Sequence, residues 1–251
     1  MGFFDQLSAA ISAWFADVKA DFYLCFIEDN RWRYLWNGLI TTLEITFLAV
    51  LLGIAIGVVV AMIRSTHDKN IGEMRPGPFR FLLKLANGVC KIYLTVIRGT
   101  PVVVQLMIVY FIILKSAGDL FIAVFAFGVN SGAYVAEIVR SGIMSVDPGQ
   151  FEAGRSLGFN YIQTMRFIII PQAFKTVLPT LANEFIVLLK ETSVAGYVAI
   201  SDLTKGGNII VGRTFNAFMP LFAVAGIYLV LVMFFTWLVG KLERRLRNSE
   251  R

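Results

Sequence analysis

The sequence contains little that can bind a metal or cross-link a fold. Its 251 residues include one histidine and two cysteines, Cys25 and Cys90, which lie far apart. This set cannot make a metal site, and two lone cysteines imply no disulfide framework. The nucleotide-binding motif G-x-x-x-x-G-K-[ST] does not occur. We therefore expect a non-catalytic chain that binds no cofactor, and energy for any work must come from another protein.

Charge is also scarce. Only 16% of the residues are charged and 57% are hydrophobic, whereas a soluble domain has about a quarter charged. The apolar residues form stretches long enough for membrane-spanning helices, which need ~20 residues each. The composition predicts an all-α, multi-pass membrane protein, and the net charge of +6 is read as loop charge rather than as a nucleic-acid footprint. The five predicted spans are Leu35–Ile63, Phe79–Leu114 with a bend at Pro101, Phe121–Ile143, Phe174–Leu189 and Ala217–Val239.

The distribution of basic residues predicts the orientation. Residues 64–80 and 140–175 each hold four basic and two acidic residues, and 241–251 hold five and two. Residues 1–33 hold five acidic and three basic residues instead. Because cytoplasmic segments are enriched in lysine and arginine, we expect the N-terminus outside and the C-terminus in the cytoplasm. Residues 64–80 and 140–175 can both lie in the cytoplasm only if the chain crosses the membrane an even number of times between them. One bent second span followed by the third span gives two crossings, whereas a split second span would give three.

Two helix faces stand out before and within the first span. Hydrophobic residues of segment 1–33 recur every three or four positions, which predicts an amphipathic helix lying on the outer membrane surface or packed on the bundle; they are Phe4, Leu7, Ile11, Phe15, Val18 and Phe22. Small residues recur every fourth position in the first span, and this pattern predicts close packing of another helix; they are Ala49, Gly53, Gly57 and Ala61.

A polar segment at residues 144–171 separates two apolar stretches and predicts a short helix of its own. Asp147 is a suitable N-cap, Pro148 suits the first helical position, and Gly158 suits the end. A short helix held just outside the bilayer is a suitable docking site for a soluble partner protein.

This segment resembles the EAA motif of ATP-binding-cassette (ABC) import permeases, EAA-x3-G-x9-I-x-L-P. The spacing of this motif is matched by Glu152-Ala153-Gly154, Gly158 and Ile168-x-Ile170-Pro171. Two positions differ: Gly154 replaces the second alanine, and Ile170 replaces the leucine. Three more stretches are similar to the polar amino-acid branch of that family, namely Arg98-Gly-Thr-Pro101, Asn130-Ser-Gly-Ala-Tyr134 and Asn183-Glu-Phe-Ile186. The resemblance covers roughly residues 34–245. Residues 1–33 and 246–251, a basic cytoplasmic tail, flank this permease domain.

The resemblance implies a type I importer fold in a bacterial inner or plasma membrane. It implies two copies of a cytoplasmic ATP-binding subunit that hydrolyse the ATP, a second permease subunit that is the same or different, and an extracytoplasmic amino-acid-binding protein. Membrane lipid is expected around the chain, and nucleic acid is not a partner. The coupling helix would dock in a groove of the ATPase through Phe151, with Glu152 and Arg155 at the rim; the full expected coupling set is Gln150, Phe151, Glu152, Ala153, Arg155 and Gly158.

Ionisable groups within spans suggest a substrate site, because they cost ~2.5–3.5 kcal/mol at membrane depth. Glu184 and Glu191 lie seven residues apart, which places both carboxylates on one helix face. They can receive an ammonium group and a cationic side chain, or only the α-ammonium of a neutral amino acid. The expected substrate is a polar and possibly cationic amino acid; the candidate residues are Glu184, Glu191, Asn183, Asn130, Tyr134 and Thr100.

Other readings of the spans remain open at the level of sequence. Arg98 is expected to hold the bend at Pro101, and Glu137 either pairs with Arg140 or contacts substrate. An ion-coupled secondary transporter or channel is the alternative function. Such a protein needs no docking helix and usually shows internal repeats, and no convincing repeat is visible.

Overall fold

A computed structural model of the chain describes residues 3–72 and 74–248, with side chains for 10–69, 71–72 and 74–246. Helices dominate this part of the chain, and it contains no β-strand. The α-helices are α1 Phe3–Phe22, α2 Trp32–Asn70, α3 Pro78–Gly99, α4 Val102–Ile108, α5 Asp119–Met144, α6 Pro148–Ser156, α7 Tyr161–Thr164, α8 Ile170–Glu191, α9 Leu203–Thr214 and α10 Phe218–Asn248. Short π-helical turns follow α1, α4 and α7.

The chain divides into two compact units, each of which has its own packing. One consists of Met1–Glu44 with Ser193–Val232, and the other of Ile45–Thr192 with Met233–Arg251.

Among the residues that the structure describes, three helices are long and apolar enough to cross a membrane, namely α2, α5 and α10, and the bent pair α3 and α4 makes a fourth candidate. The predicted fourth span, Phe174–Leu189, is α8, which has 22 residues but carries Lys175, Glu184 and Lys190 along its length. Its charges explain why hydropathy alone does not identify it. The predicted spans thus each correspond to a helix or bent helix pair.

The limits of two spans differ from the prediction. Helix α2 continues seven residues beyond the predicted end at Ile63, through the basic segment that we expected to be a linker. Ion pairs explain this extension, since Arg64 and Asp68 contact Glu137 and Arg140 of α5 at 3.4 Å. Helix α10 likewise continues from the predicted Val239 to Asn248; residues 249–251 of the expected basic tail lie outside the described residues.

The second span is bent by 109° between α3 and α4. The break lies at Thr100 and Pro101, where both residues have extended backbone angles. Proline fixes its own φ and has no N–H to continue the hydrogen bonds of α3. The predicted bend is therefore present and sharp.

The core of the larger unit surrounds α5. The stripe of small residues on α2 packs against it as predicted, because Cβ atoms placed on Gly53 and Gly57 would lie 3.0 Å from Ser131 and 2.5 Å from Val135. Close approach of this kind needs glycine, and it brings the polar residues of α5 to the centre of the unit.

The smaller unit contains a helix that the sequence analysis missed. Helix α9 is capped by Asp202, whose carboxylate accepts hydrogen bonds from the backbone N–H groups of Thr204 and Lys205 at 3.2 and 2.9 Å. Burial raises the pKa of the Asp202 carboxyl, and these hydrogen bonds oppose the shift. A Cβ on Gly38 would lie 2.5 Å from the carbonyl oxygen of Asp202, so α2 and the start of α9 are in backbone contact.

The N-terminal segment is helical, as the periodicity predicts. Within α1, Ile11, Phe15 and Phe22 are about half exposed or more, at 48%, 60% and 50%. The side chains of Phe4 and Leu7 lie outside the described residues, as do Met1 and Gly2 entirely. Beyond α1, Cys25 and Phe26 are buried in a cluster with Leu203 and other residues of the same unit. The location of α1 on the membrane surface stays a prediction.

Candidate functional site: a polar helix face and a coupling helix

Polar side chains of three helices meet on α5 in the larger unit. Glu184 of α8 is half-buried and accepts a hydrogen bond from the hydroxyl of Ser131 at 3.1 Å. One residue earlier, buried Asn130 donates from its side-chain amide to the side-chain carbonyl of Gln105 at 3.0 Å. Helix α5 therefore joins α8 on one side to the bent segment on the other.

Gln105 links Asn130 to the bend. Its amide nitrogen lies 2.8 Å from the Thr100 hydroxyl, 3.0 Å from the Thr100 carbonyl oxygen and 2.7 Å from that of Ile97. The carbonyl groups at the end of α3 would otherwise lack a helical partner. Gln105, rather than Arg98 as we expected, is the side chain that hydrogen-bonds the bend.

The six candidate substrate residues are not all brought together. Asn130 and Thr100 both bond to Gln105, whereas Glu184 bonds to Ser131. Tyr134 lies elsewhere on α5, with the Arg98 guanidinium 5.6 Å from its ring centroid.

The other two candidates lie on α8. Glu191 is half-buried near the end of the helix, and Asn183 is exposed beside Glu184. A seven-residue spacing does place Glu184 and Glu191 on one face of this helix, as the sequence predicts.

Sequence reasoning missed Gln105 and Ser131. Both carried a signal: Gln105 is the one polar residue of the apolar run Val102–Ile113 apart from a tyrosine, and a polar residue at membrane depth is a functional candidate by default. Ser131 is small and follows Asn130 directly, and only its contact with Glu184 distinguishes it from a packing residue.

The polar segment at residues 144–171 contains the predicted capped helix, α6. Asp147 accepts a hydrogen bond from the Gly149 N–H at 2.6 Å, and Pro148 is the first residue of α6. At the other end, Gly158 has φ +77°, and the Phe159 N–H donates to the Gly154 carbonyl at 3.0 Å. A left-handed glycine with such a bond is a standard helix C-terminus.

The orientation of α6 separates its residues into two groups. Glu152, Ala153 and Arg155 are exposed, and so is Gly158. Gly154 is buried on the opposite side, where a Cβ would lie 2.7 Å from the Thr164 methyl group.

Phe151 does not project freely as we expected. Its ring packs partly against a cluster of the same chain that contains Ile143 and Ile169, and the Lys69 ammonium lies 3.1 Å from the ring centroid. Gln150 is also held within the chain, by the Gln172 amide at 3.2 Å. These two residues fix the position of α6, and its exposed face lies at Glu152, Ala153 and Arg155.

Comparison with known proteins identifies the family. The model of the binding-protein-dependent transport system inner membrane component matches residues 80–248. The chain belongs to this family. The glutamine transport system permease protein of Escherichia coli (strain K12) is 34% identical over 224 residues, which are 86% of this chain and 97% of the relative. The arginine transport system permease protein of Bacillus subtilis (strain 168) is 34% identical over 221 residues, or 86% and 94%.

Solved structures support the same fold. A chain of an amino acid ABC transporter crystallised with histidines has a TM-score of 0.76 and 39% identity, covering 88% of this chain and 98% of that one. A chain of a methionine ABC transporter in an inward-facing conformation has a TM-score of 0.70 at 21% identity, with coverage of 84% and 95%, and shows the fold alone. The predicted all-helical permease fold is confirmed. The chain is a membrane permease subunit of a transport system, a non-catalytic component.

Proposed function

We propose that this permease forms the translocation path of an ATP-driven amino-acid importer and receives its energy through α6. The observation that carries the proposal is the helix itself, which is capped at Asp147, ended at Gly158 and fixed on its own chain through Phe151. A rigid helix with an exposed face transmits the movement of a docked partner, whereas a loose loop absorbs it. The family description names a binding-protein-dependent transport system, and the similar solved structure is an ABC transporter, which supports a binding protein and an ATP-binding subunit as partners.

The copy number and identity of these partners are part of the proposal. Two cytoplasmic ATPase subunits, a second permease and an extracytoplasmic receptor would complete the importer in a bacterial inner membrane. The sequence similarity to permeases of glutamine and arginine systems supports an amino-acid substrate.

A charge reversal on the exposed face of α6 tests the coupling. The Glu152 side chain makes no ion pair or hydrogen bond with the described residues, so Glu152→Lys should insert normally but lose ATP-driven uptake and co-purification of the ATPase. Glu243→Lys is the matched control, because Glu243 is also exposed and predicted to be cytoplasmic. Normal uptake by Glu152→Lys would show that this face is not the energy input.

Glu184 is the proposed contact for the positive charge of the substrate. It is half-buried, and within the described part of the chain its carboxylate accepts one hydrogen bond, from the hydroxyl of Ser131, which leaves most of its acceptor capacity for a ligand. Glu184→Gln keeps the shape and removes the charge, so it should reduce uptake of arginine and lysine more than uptake of glutamine. Competition uptake measures this directly, and equal loss for all three would indicate a structural role.

A further inference from the structure

A polar stripe follows one face of α3, away from the site described above. Lys91, Thr95 and Arg98 are separated by four and three residues, so they share this face, and all three are exposed. Charged side chains within a span avoid lipid and face water-filled cavities or other protein groups. The stripe therefore marks a face of α3 that meets water or polar protein groups rather than lipid.

The stripe forms one wall of an open pocket of about 560 Å³. Tyr134 and Glu137 of α5 form the opposite wall, and Arg64 of α2 lies at one end. The Arg98 guanidinium lies over the ring of Tyr134, 5.6 Å from its centroid. Contact with an aromatic face restricts the plane of the guanidinium and leaves its N–H groups free for a ligand.

The charges of this pocket do not balance. Its lining holds three cationic side chains, Arg64, Lys91 and Arg98, and one carboxylate, Glu137. Glu137 is already in contact with Arg64 at 3.4 Å and with Arg140 at 3.3 Å. Among the described residues, neither Lys91 nor Arg98 has a carboxylate within ion-pair distance. Two positive charges are therefore left for an anionic group from outside the chain.

We infer that this pocket binds the α-carboxylate of the transported amino acid, with Arg98 as the main donor and Lys91 as the second. The inference rests on the proposed function and deepens it. A guanidinium presents two parallel N–H groups to a carboxylate, and charge-assisted hydrogen bonds of this kind are the strong ones. Because every amino acid carries this carboxylate, the pocket recognises the common part of the substrate, and Glu184 contacts a different group.

Arginine and agmatine, its decarboxylated form, separate the two parts of the ligand. The full chain in phosphatidylcholine nanodiscs should bind arginine about tenfold or more tightly than agmatine, as measured by saturation-transfer NMR. Arg98→Gln should abolish this preference. Lys84→Gln is the matched control, since Lys84 lies on the same helix, outside the lining of the pocket, and the variant should keep the preference.

A second variant covers the case in which Arg98→Gln is unstable. Lys91 makes no ion pair or hydrogen bond within the described part of the chain, so Lys91→Gln should fold normally and reduce the preference for arginine. An unchanged preference in both variants, or equal binding of arginine and agmatine by the unmodified chain, overturns the inference.

The phosphate of an anionic lipid is the other source of the same chemistry. If lipid phosphate is the ligand instead, the unmodified chain will enrich phosphatidylglycerol around itself in nanodiscs that contain a third of this lipid, Arg98→Gln will not, and the lipid composition will leave arginine binding unchanged. The arginine preference will then be absent in phosphatidylcholine, which contradicts the inference. The proposed function fails separately, if the chain with its ATPase and receptor shows no ATP-driven uptake.

Discussion

The packing of α6 should depend on the small size of Gly154, which lies against Thr164. Gly154 is buried in α6, and a Cβ there would lie 2.7 Å from the Thr164 Cγ2 atom and 2.8 Å from its Oγ1 atom. Thr164 is 2% exposed, so its side chain has little room to move. This contact explains why the third small position of the EAA motif is glycine here.

The cost of Gly154→Ala follows from two opposing effects. Overpacking a tight contact costs about 1–3 kcal/mol, and alanine gains about 0.5–1 kcal/mol over glycine within a helix. We expect a net loss of about 1–2 kcal/mol. For a chain of this size, that loss lowers the melting temperature by roughly 2–8 °C.

Thr164→Ala should rescue the variant, since it removes both atoms that an added Cβ would meet at less than 3 Å. The hydroxyl of Thr164 is buried without a hydrogen-bond partner among the described residues, so its removal loses no bond. A double-mutant cycle measured by thermal unfolding in detergent should give a coupling of about 1 kcal/mol or more.

Gly212→Ala is the control for this cycle. It lies within helix α9, where a Cβ would meet nothing within 4 Å, and it should be neutral or slightly stabilising. Additive effects of the Gly154 and Thr164 changes would refute the size-matching argument.

Three further variants follow from single contacts. Gly158→Val places a β-branched residue at φ +77°, which should cost about 1–2 kcal/mol of local strain and reduce uptake more than insertion, as measured by transport per inserted molecule. Gln105→Leu leaves the buried amide of Asn130 unpaired and should lower stability by about 1–3 kcal/mol in thermal unfolding; an unchanged melting temperature would contradict its role at the bend. Asp202→Ala should cost about 1 kcal/mol as a lost N-cap, whereas Asp202→Asn should be at least as stable as the unmodified chain at pH 7. Burial raises the pKa of Asp202 in the folded state above its value in the unfolded state. The stability that protonated Asp202 contributes is therefore fully present below the unfolded-state pKa and is lost as pH rises through the folded-state pKa. Asp202→Asn should remove this pH dependence.

Apolar stretches in the sequence located the spans, whereas long-range ion pairs as well as local polarity decided where the helices end. Helix α5 begins and ends within two residues of the predicted Phe121–Ile143, because both ends are polar. Helix α2 continues to Asn70 because Arg64 and Asp68 find partners on α5, and pairing between distant helices leaves no local pattern in the sequence. Helix α9 was missed because it is rich in glycine, and a glycine-rich sequence resembles that of a loop.

The role of the candidate substrate residues stays a prediction, and the sequence did not predict the hydrogen bonds that the structure shows among polar residues of the spans. Asn130, Thr100 and Glu184 were identified from their polarity within spans, whereas Gln105 and Ser131, which bind them, were not. The caps of α6 were predictable because capping is local: aspartate, proline and glycine lie within twelve residues of each other. The inward packing of Phe151 depends on residues of α5 and of the segment before α8, and no local signal reveals it.

ATP-driven uptake in proteoliposomes tests the central claim most directly. The chain is reconstituted with its ATP-binding subunit and receptor, and uptake of a radiolabelled amino acid is measured with hydrolysable or non-hydrolysable ATP enclosed on the ATPase side. The importer account predicts uptake that requires hydrolysable ATP and persists after ionophores dissipate all ion gradients. Uptake that follows an ion gradient without ATP would contradict it and would favour a secondary transporter.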